Sequence, residues 1–247
     1  MFGRRVQGYV YVPDTDEGAM AGAHVGASIH LQVPSPPWIV VDCSLARIVV
    51  AKWPGKLWHV EIIEKGDNKG LREDAGYVRA RAVKVLAEEP ACSLFGLHGA
   101  AVSGVINAAR YVSEEQAQHL TAARHPEAGM MYTRGWWRWL AKEKFSASHL
   151  SAKLENVLQI PGGRIVSPIG HGLSLVHDYV FERAKVLAGD AAFERDDEDL
   201  CLKPPWALAS SALLEAALAF GAPDFLDPAE RAILTAAWFA VIGADPA

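Results

Sequence analysis

Near Pro90 the hydrophobic period of this chain changes, and that change limits the folds open to it. Upstream, apolar residues recur every second position. Across residues 24–33, Val25, Ala27, Ile29, Leu31 and Val33 share one face while His24, Ser28, His30 and Gln32 share the other, the pattern of a half-buried strand. After a proline-rich break come residues 38–42, then residues 47–53, a Pro54-Gly55 turn and residues 56–64, where Trp58, Val60 and Ile62 share a face. The last two runs are expected to form a hairpin. Residues 65–76 read as a loop. Residues 77–86 fit a strand or a helix by period, and Val78, Val83 and Val85 favour the strand.

Downstream the period is helical. Leu97, Ala101, Val102, Val105, Ile106 and Ala109 recur at three- and four-residue spacing, and Ser113 with Gln116 makes a capping-box start for the next helix. Thr133 and Ser148 are candidate N-caps for the two segments that follow. Pro161, Gly162, Gly163, Pro168, Gly170 and Gly172 mark a connecting loop. Residues 174–188 form a helix closed by Gly189, residues 194–199 a solvated acidic loop, and Pro205 opens a helix closed by Gly221. Asp227-Pro228-Ala229-Glu230 starts the last helix, closed by Gly243. Strands first and helices afterwards give an α+β fold: a β-rich antiparallel part over residues 1–90 and a bundle of about six helices over residues 91–247, with joint packing of the two left open.

A length of 247 residues and 51% hydrophobic content support a sizeable core. With 24 basic and 29 acidic residues the net charge is −5, which gives nucleic-acid binding no support, so any basic surface must be local. Cys43, Cys92 and Cys201 are odd in number and in no C-x-x-C arrangement, which argues against a disulfide scaffold or zinc knuckle and for a reducing cytoplasm. The apolar stretch after Arg4 and Arg5 is interrupted by Gln7 and ends at Pro13, too short for a secretory core. Residues 233–242 reach only about half of the roughly 20 residues a spanning helix needs. A cytoplasmic protein with no membrane partner is expected.

Three segments carry a resemblance: Leu94-Phe95-Gly96-Leu97-His98-Gly99-Ala100-Ala101-Val102, Leu120-Thr121-Ala122-Ala123-Arg124-His125-Pro126-Glu127-Ala128-Gly129, and Ser167-Pro168-Ile169-Gly170 leading into Leu175-Val176-His177-Asp178. Over residues 75–190 the chain resembles uncharacterised alanine- and tryptophan-rich proteins of actinobacteria and their phages. The resemblance implies a phage or mobile-element origin, where small proteins often bind a host or phage component. It implies no activity, cofactor or functional residue.

Three of the eight tryptophans, Trp136, Trp137 and Trp139, fall within four positions among Arg134, Arg138, Lys142 and Lys144. On a helix Arg134, Arg138 and Lys142 make a basic stripe at i, i+4 and i+8, Trp136, Trp139 and Leu140 make an apolar one, and Trp137 lies beside the basic side. Trp and Arg dominate interface hot spots, and a guanidinium over an indole adds cation–π attraction. The competing reading buries Trp136 and Trp139 in a core and sets the cations against the acidic run Asp196, Asp197, Glu198 and Asp199. The stripe also has the ingredients for stacking on single-stranded nucleic acid, a use the net charge disfavours.

His177-Asp178, with His149 upstream and Asp224 or Asp227 downstream, has the outline of an HD-type metal phosphohydrolase, in which a bound metal makes a hydroxide nucleophile. The Gly-Lys that often follows that dyad is replaced by Tyr179-Val180. His24 and His30 lie roughly 20 Å apart on an extended strand, too far to share an ion, and His59 with Glu61 marks a polar strand face. Pro161-Gly162-Gly163-Arg164 and Gly170-His171-Gly172 read as turns before anion nests, and no serine or cysteine sits in a nucleophile elbow. The sequence therefore points to a non-enzymatic protein-binding or accessory protein without a cofactor, docking a protein partner through Arg134, Trp137, Arg138 and Lys142. The alternatives are the metal hydrolase on His149, His177, Asp178 and Asp224, and a structural or assembly subunit.

Overall fold

A computed structural model describes residues 6–15, 18–33, 35–69, 71, 76–145, 168–196, 199–243 and 246. The chain divides into two compact units, Met1–Leu94 with Val166–Pro168, and Phe95–Ile165 with Ile169–Ala247. The order is α+β, as the change of period requires.

The first unit holds, among the described residues, five strands: β1 (Gln7–Pro13), β2 (Ser28–His30), β3 (Ile39–Asp42), β4 (Gly55–Lys65) and β5 (Tyr77–Glu89). All pairings are antiparallel, and β3, β1, β4 and β5 close a four-stranded ring because β5 pairs with β4 on one edge and β3 on the other. Irregularities in the β4–β5 register at His59/Val60 and beyond Ile62 let the long pair bend, which closure of so small a ring requires. Inside lie Val10, Ile39, Val41, Trp58, Val60, Ala80, Val83 and Val85.

Two expectations fail here. The hairpin of residues 47–53 with 56–64 does not form: both edges of β4 are taken, by β1 and β5, and Leu45–Arg47 is a short 3-10 turn instead. Its Pro54-Gly55 turn leads directly into β4, where a Cβ on Gly55 would collide with the Val12 carbonyl oxygen. The strand expected over residues 24–33 shrinks to Ser28–His30. Gly26, at φ +90°, breaks the extended backbone, although Gly26 N–H still donates to the Val85 carbonyl and Leu31 N–H to that of Arg81. Conversely β1, read only as an interrupted apolar stretch, is a ring strand with Val10 buried inside.

The second unit contains, among the described residues, six α-helices: α1 (Gly99–Tyr111), α2 (Glu114–Ala123), α3 (Ala128–Phe145), α4 (Pro168–Ala188), α5 (Trp206–Gly221) and α6 (Pro228–Val241). The hydrophobic helix α5 is its axis, with Trp206, Ala209, Leu213, Ala216, Ala217 and Leu218 buried. The expected Ser113–Gln116 capping box forms, and Asp227 with Glu230 makes a second. Val102, Val105, Ile106 and Ala109 are buried on α1, whereas Leu97 precedes the helix and is exposed. The expected loop at Gly170 and Gly172 is the first turns of α4. Gly172 is there for packing, since a Cβ would come 2.5 Å from the Val102 methyl carbon on α1. The acidic loop at residues 194–199 is instead a hairpin, β6 (Phe193–Asp196) with β7 (Asp199–Leu202). The Phe193 ring meets Phe181 of α4 at 4.7 Å and anchors it. Ser148 and Pro161, Gly162, Gly163 and Arg164 lie outside the described residues.

Candidate docking surface

Helix α3 starts five residues before its expected N-cap: Thr133 sits inside it and donates its hydroxyl hydrogen back to the Gly129 carbonyl at 2.9 Å, a common use of threonine within helices. Ala128, Met131, Gly135 and Trp139 recur at helical spacing and form its buried face. Ala128 and Met131 pack with Ala219 and Leu234, while Trp139 packs with Leu218 and Ala222. Gly135 lets the helix approach closely, because a Cβ there would stand 2.6 Å from a Leu226 methyl carbon. Tyr132 stacks on Trp136 at a centroid distance of 6.4 Å, and Trp136 meets Trp139 at 4.8 Å with the rings tilted. Two of the three clustered tryptophans are therefore packing residues.

Trp137 lies on the opposite side and is 58% exposed. Met130 and Arg134, at i−7 and i−3 from it, are exposed as well, and an apolar-cationic face runs along the helix between them. Arg134 forms no ion pair among the described residues.

Arg138 has a different task. Its guanidinium donates to both carboxylate oxygens of Glu230, at 2.5 and 2.8 Å, and to the Phe225 carbonyl at 2.9 Å. Glu230 is 5% exposed and belongs to the capping box at the start of α6, where its carboxylate also accepts the Asp227 N–H. The Arg138 hydrogen bonds, opposed by burial and helped by the Asp227 N–H and the nearby charges of Arg138 and Arg134, hold the Glu230 carboxyl below its ordinary range. Arg138 thus latches α3 to α6. Of the α3 cations it is Arg138 that pairs with Glu230, in the first turn of the last helix. Lys142 lies on α3, and its side chain is outside the described residues.

A second latch escaped the sequence reading altogether. Arg124, at the C-terminus of α2, donates through Nε and Nη2 to Glu215 of α5, which is 3% exposed. Burial pushes the Glu215 carboxyl above its ordinary value despite Arg124. Burial also pushes the neighbouring Tyr132 hydroxyl up to about 12, with the Glu215 charge contributing. Only a glutamate in the middle of an otherwise apolar helix hinted at this pair.

Among the described residues, His177, Asp178 and Asp224 do not form a metal-holding group. His177 and Asp178 are successive, partly exposed residues of α4, with Nδ1 and Oδ1 3.9 Å apart. Asp224 is exposed in the short turn Pro223–Phe225, and His149 is outside the described residues. Among the described residues no group of three or more His, Cys, Asp or Glu is placed to hold a metal ion. In the first unit His24 Nδ1 lies 3.0 Å from the Gly22 carbonyl oxygen, and His59 stacks on Tyr9 at 5.1 Å. No helix among the described residues is long and apolar enough to cross a membrane. No protein-family model, curated protein or solved structure matches the chain.

Proposed function

We propose that this chain is a protein-binding accessory protein that docks a protein partner through the exposed face of α3, with Trp137 as the apolar anchor and Arg134 as its charged neighbour. The observation that carries the reading is the exposure of Trp137 on a helix whose other two tryptophans are packed and whose Arg138 is committed to Glu230. An indole more than half exposed on a helix gains, when covered, the area of an interface hot spot. Arg138 moves from a contact role to a positioning one, since it sets the rotation of α3 against α6. A cytoplasmic location fits Cys43, Cys92 and Cys201, all free thiols.

The test is recovery of partner from a native-host extract by wild type and by the Arg134→Ala, Trp137→Ala double variant, with circular dichroism confirming that the variant is folded. Loss of partner by the folded variant is expected. Equal recovery removes α3 from the interface.

A further inference from the structure

Among the described residues no ion pair offsets the carboxylates of the β6–β7 hairpin. Its register pairs Phe193 with Leu202, Glu194 with Cys201, Arg195 with Leu200, and Asp196 with Asp199. Directly paired residues share a face and successive residues alternate, so Glu194, Asp196, Cys201 and Asp199 lie on one face while Arg195 lies on the other with Phe193. Among the described residues that face carries three exposed carboxylates and no cation. Asp196 and Asp199 stand directly across from one another, a like-charge pair that weakens a two-stranded ribbon already marginal in water. Among the described residues no ion pair relieves either of them.

The same unit presents the complementary element. Arg134 is exposed on α3 and forms no ion pair among the described residues, and Trp137 and Met130 flank it with apolar surface. We infer that the acidic face of the β6–β7 hairpin on one copy of this chain docks onto the Arg134 and Trp137 face of α3 on a second copy. This rests on the reading of α3 as a docking face and names its occupant. The contact joins two different surfaces, so each copy keeps one free hairpin and one free α3, and association continues into a ring or an open chain. Overall repulsion between copies of net charge −5 is screened beyond about 8 Å at physiological ionic strength, whereas the local contact is screened less.

Sedimentation velocity of the full chain over a range of concentrations, at about 0.05 M and about 0.5 M salt, is the test. Association that grows with concentration and weakens at high salt is expected. Arg134→Glu and the Asp196→Lys, Asp199→Lys double variant each place like charges across the contact and weaken self-association about tenfold or more. Mixing the two variants restores association, because each then meets an opposite charge. A wild type that stays monomeric throughout overturns the inference. So does association that survives the α3 variant, or a mixture no better than its components. If the wild type is monomeric while partner capture still depends on Trp137, the docking face stands and only its homotypic use falls.

Discussion

Truncating Arg138 to alanine removes three hydrogen-bond donations and leaves Glu230, 5% exposed, with the Asp227 N–H as its remaining partner. Stripping one partner from a fully buried ion pair costs about 3–5 kcal/mol. Here the Arg138 side chain is 47% exposed, so water reaches part of the vacated site, and about 2–3 kcal/mol is the better expectation. At about 2–4 °C per kcal/mol, the melting temperature of the helical unit falls by roughly 4–12 °C. Glu230→Gln keeps an acceptor for the Asp227 N–H and discards the charge, so Arg138→Ala costs about 1.5 kcal/mol less in that background. The pH dependence has a definite sign. A carboxyl held below its ordinary value contributes stability above its unfolded pKa and loses it as pH falls through the folded one, so the gap between wild type and Arg138→Ala narrows below about pH 4. Urea unfolding followed by far-UV circular dichroism, on the four members of the cycle at pH 7 and pH 3.5, measures each quantity. A variant within about 0.5 kcal/mol of wild type at pH 7, or a cost unchanged by Glu230→Gln, refutes the latch.

Other expectations concern separate elements. Trp139→Ala should cost about 3–5 kcal/mol and Trp137→Ala less than about 1, as seen by urea midpoints, because only the first indole fills a core. Gly172→Ala gains helix propensity but drives a methyl into Val102, so a net loss of about 1–3 kcal/mol is expected on thermal melting, and a variant more stable than wild type contradicts the close α1–α4 approach. Asp42 has its carboxyl pushed up to about 6 by burial, with Arg47 opposing, so its ionisation opposes folding. That cost is absent below about pH 4, grows between pH 4 and 6 and is complete above, at about 1 kcal/mol after solvent screening. Asp42→Asn flattens this part of the stability profile, and parallel profiles for variant and wild type contradict it.

Local chemistry was legible wherever it acts within a few residues. The Ser113 capping box and the helix start at Asp227-Pro228 form as their residues predict, because each signal is complete within one helical turn. The β-branched content of residues 77–86 was enough to assign β5. Partner choice was not legible, since it is settled by the whole ring. Residues 47–53 alternate acceptably, yet β1 and β5 occupy both edges of β4. Residues 24–33 alternate without a slip, and one glycine at positive φ still breaks the strand. On α3 the exposure of Trp137 follows from helical spacing alone. The diversion of Arg138 does not, because Glu230 lies 92 residues away and its burial depends on how α3 and α6 meet. The Arg124–Glu215 latch spans 91 residues and is invisible for the same reason.

The central claim is that the Trp137 side of α3 meets another protein, and photo-crosslinking from that position tests it most directly. A benzophenone amino acid replaces Trp137 in one sample and exposed Val186 on α4 in another, each irradiated in native-host extract. The account predicts a discrete protein adduct from position 137, suppressed by excess unlabelled wild type but not by the Arg134→Ala, Trp137→Ala variant, and none of that size from position 186. No adduct at 137, or one that the variant competes away as well as wild type does, contradicts it.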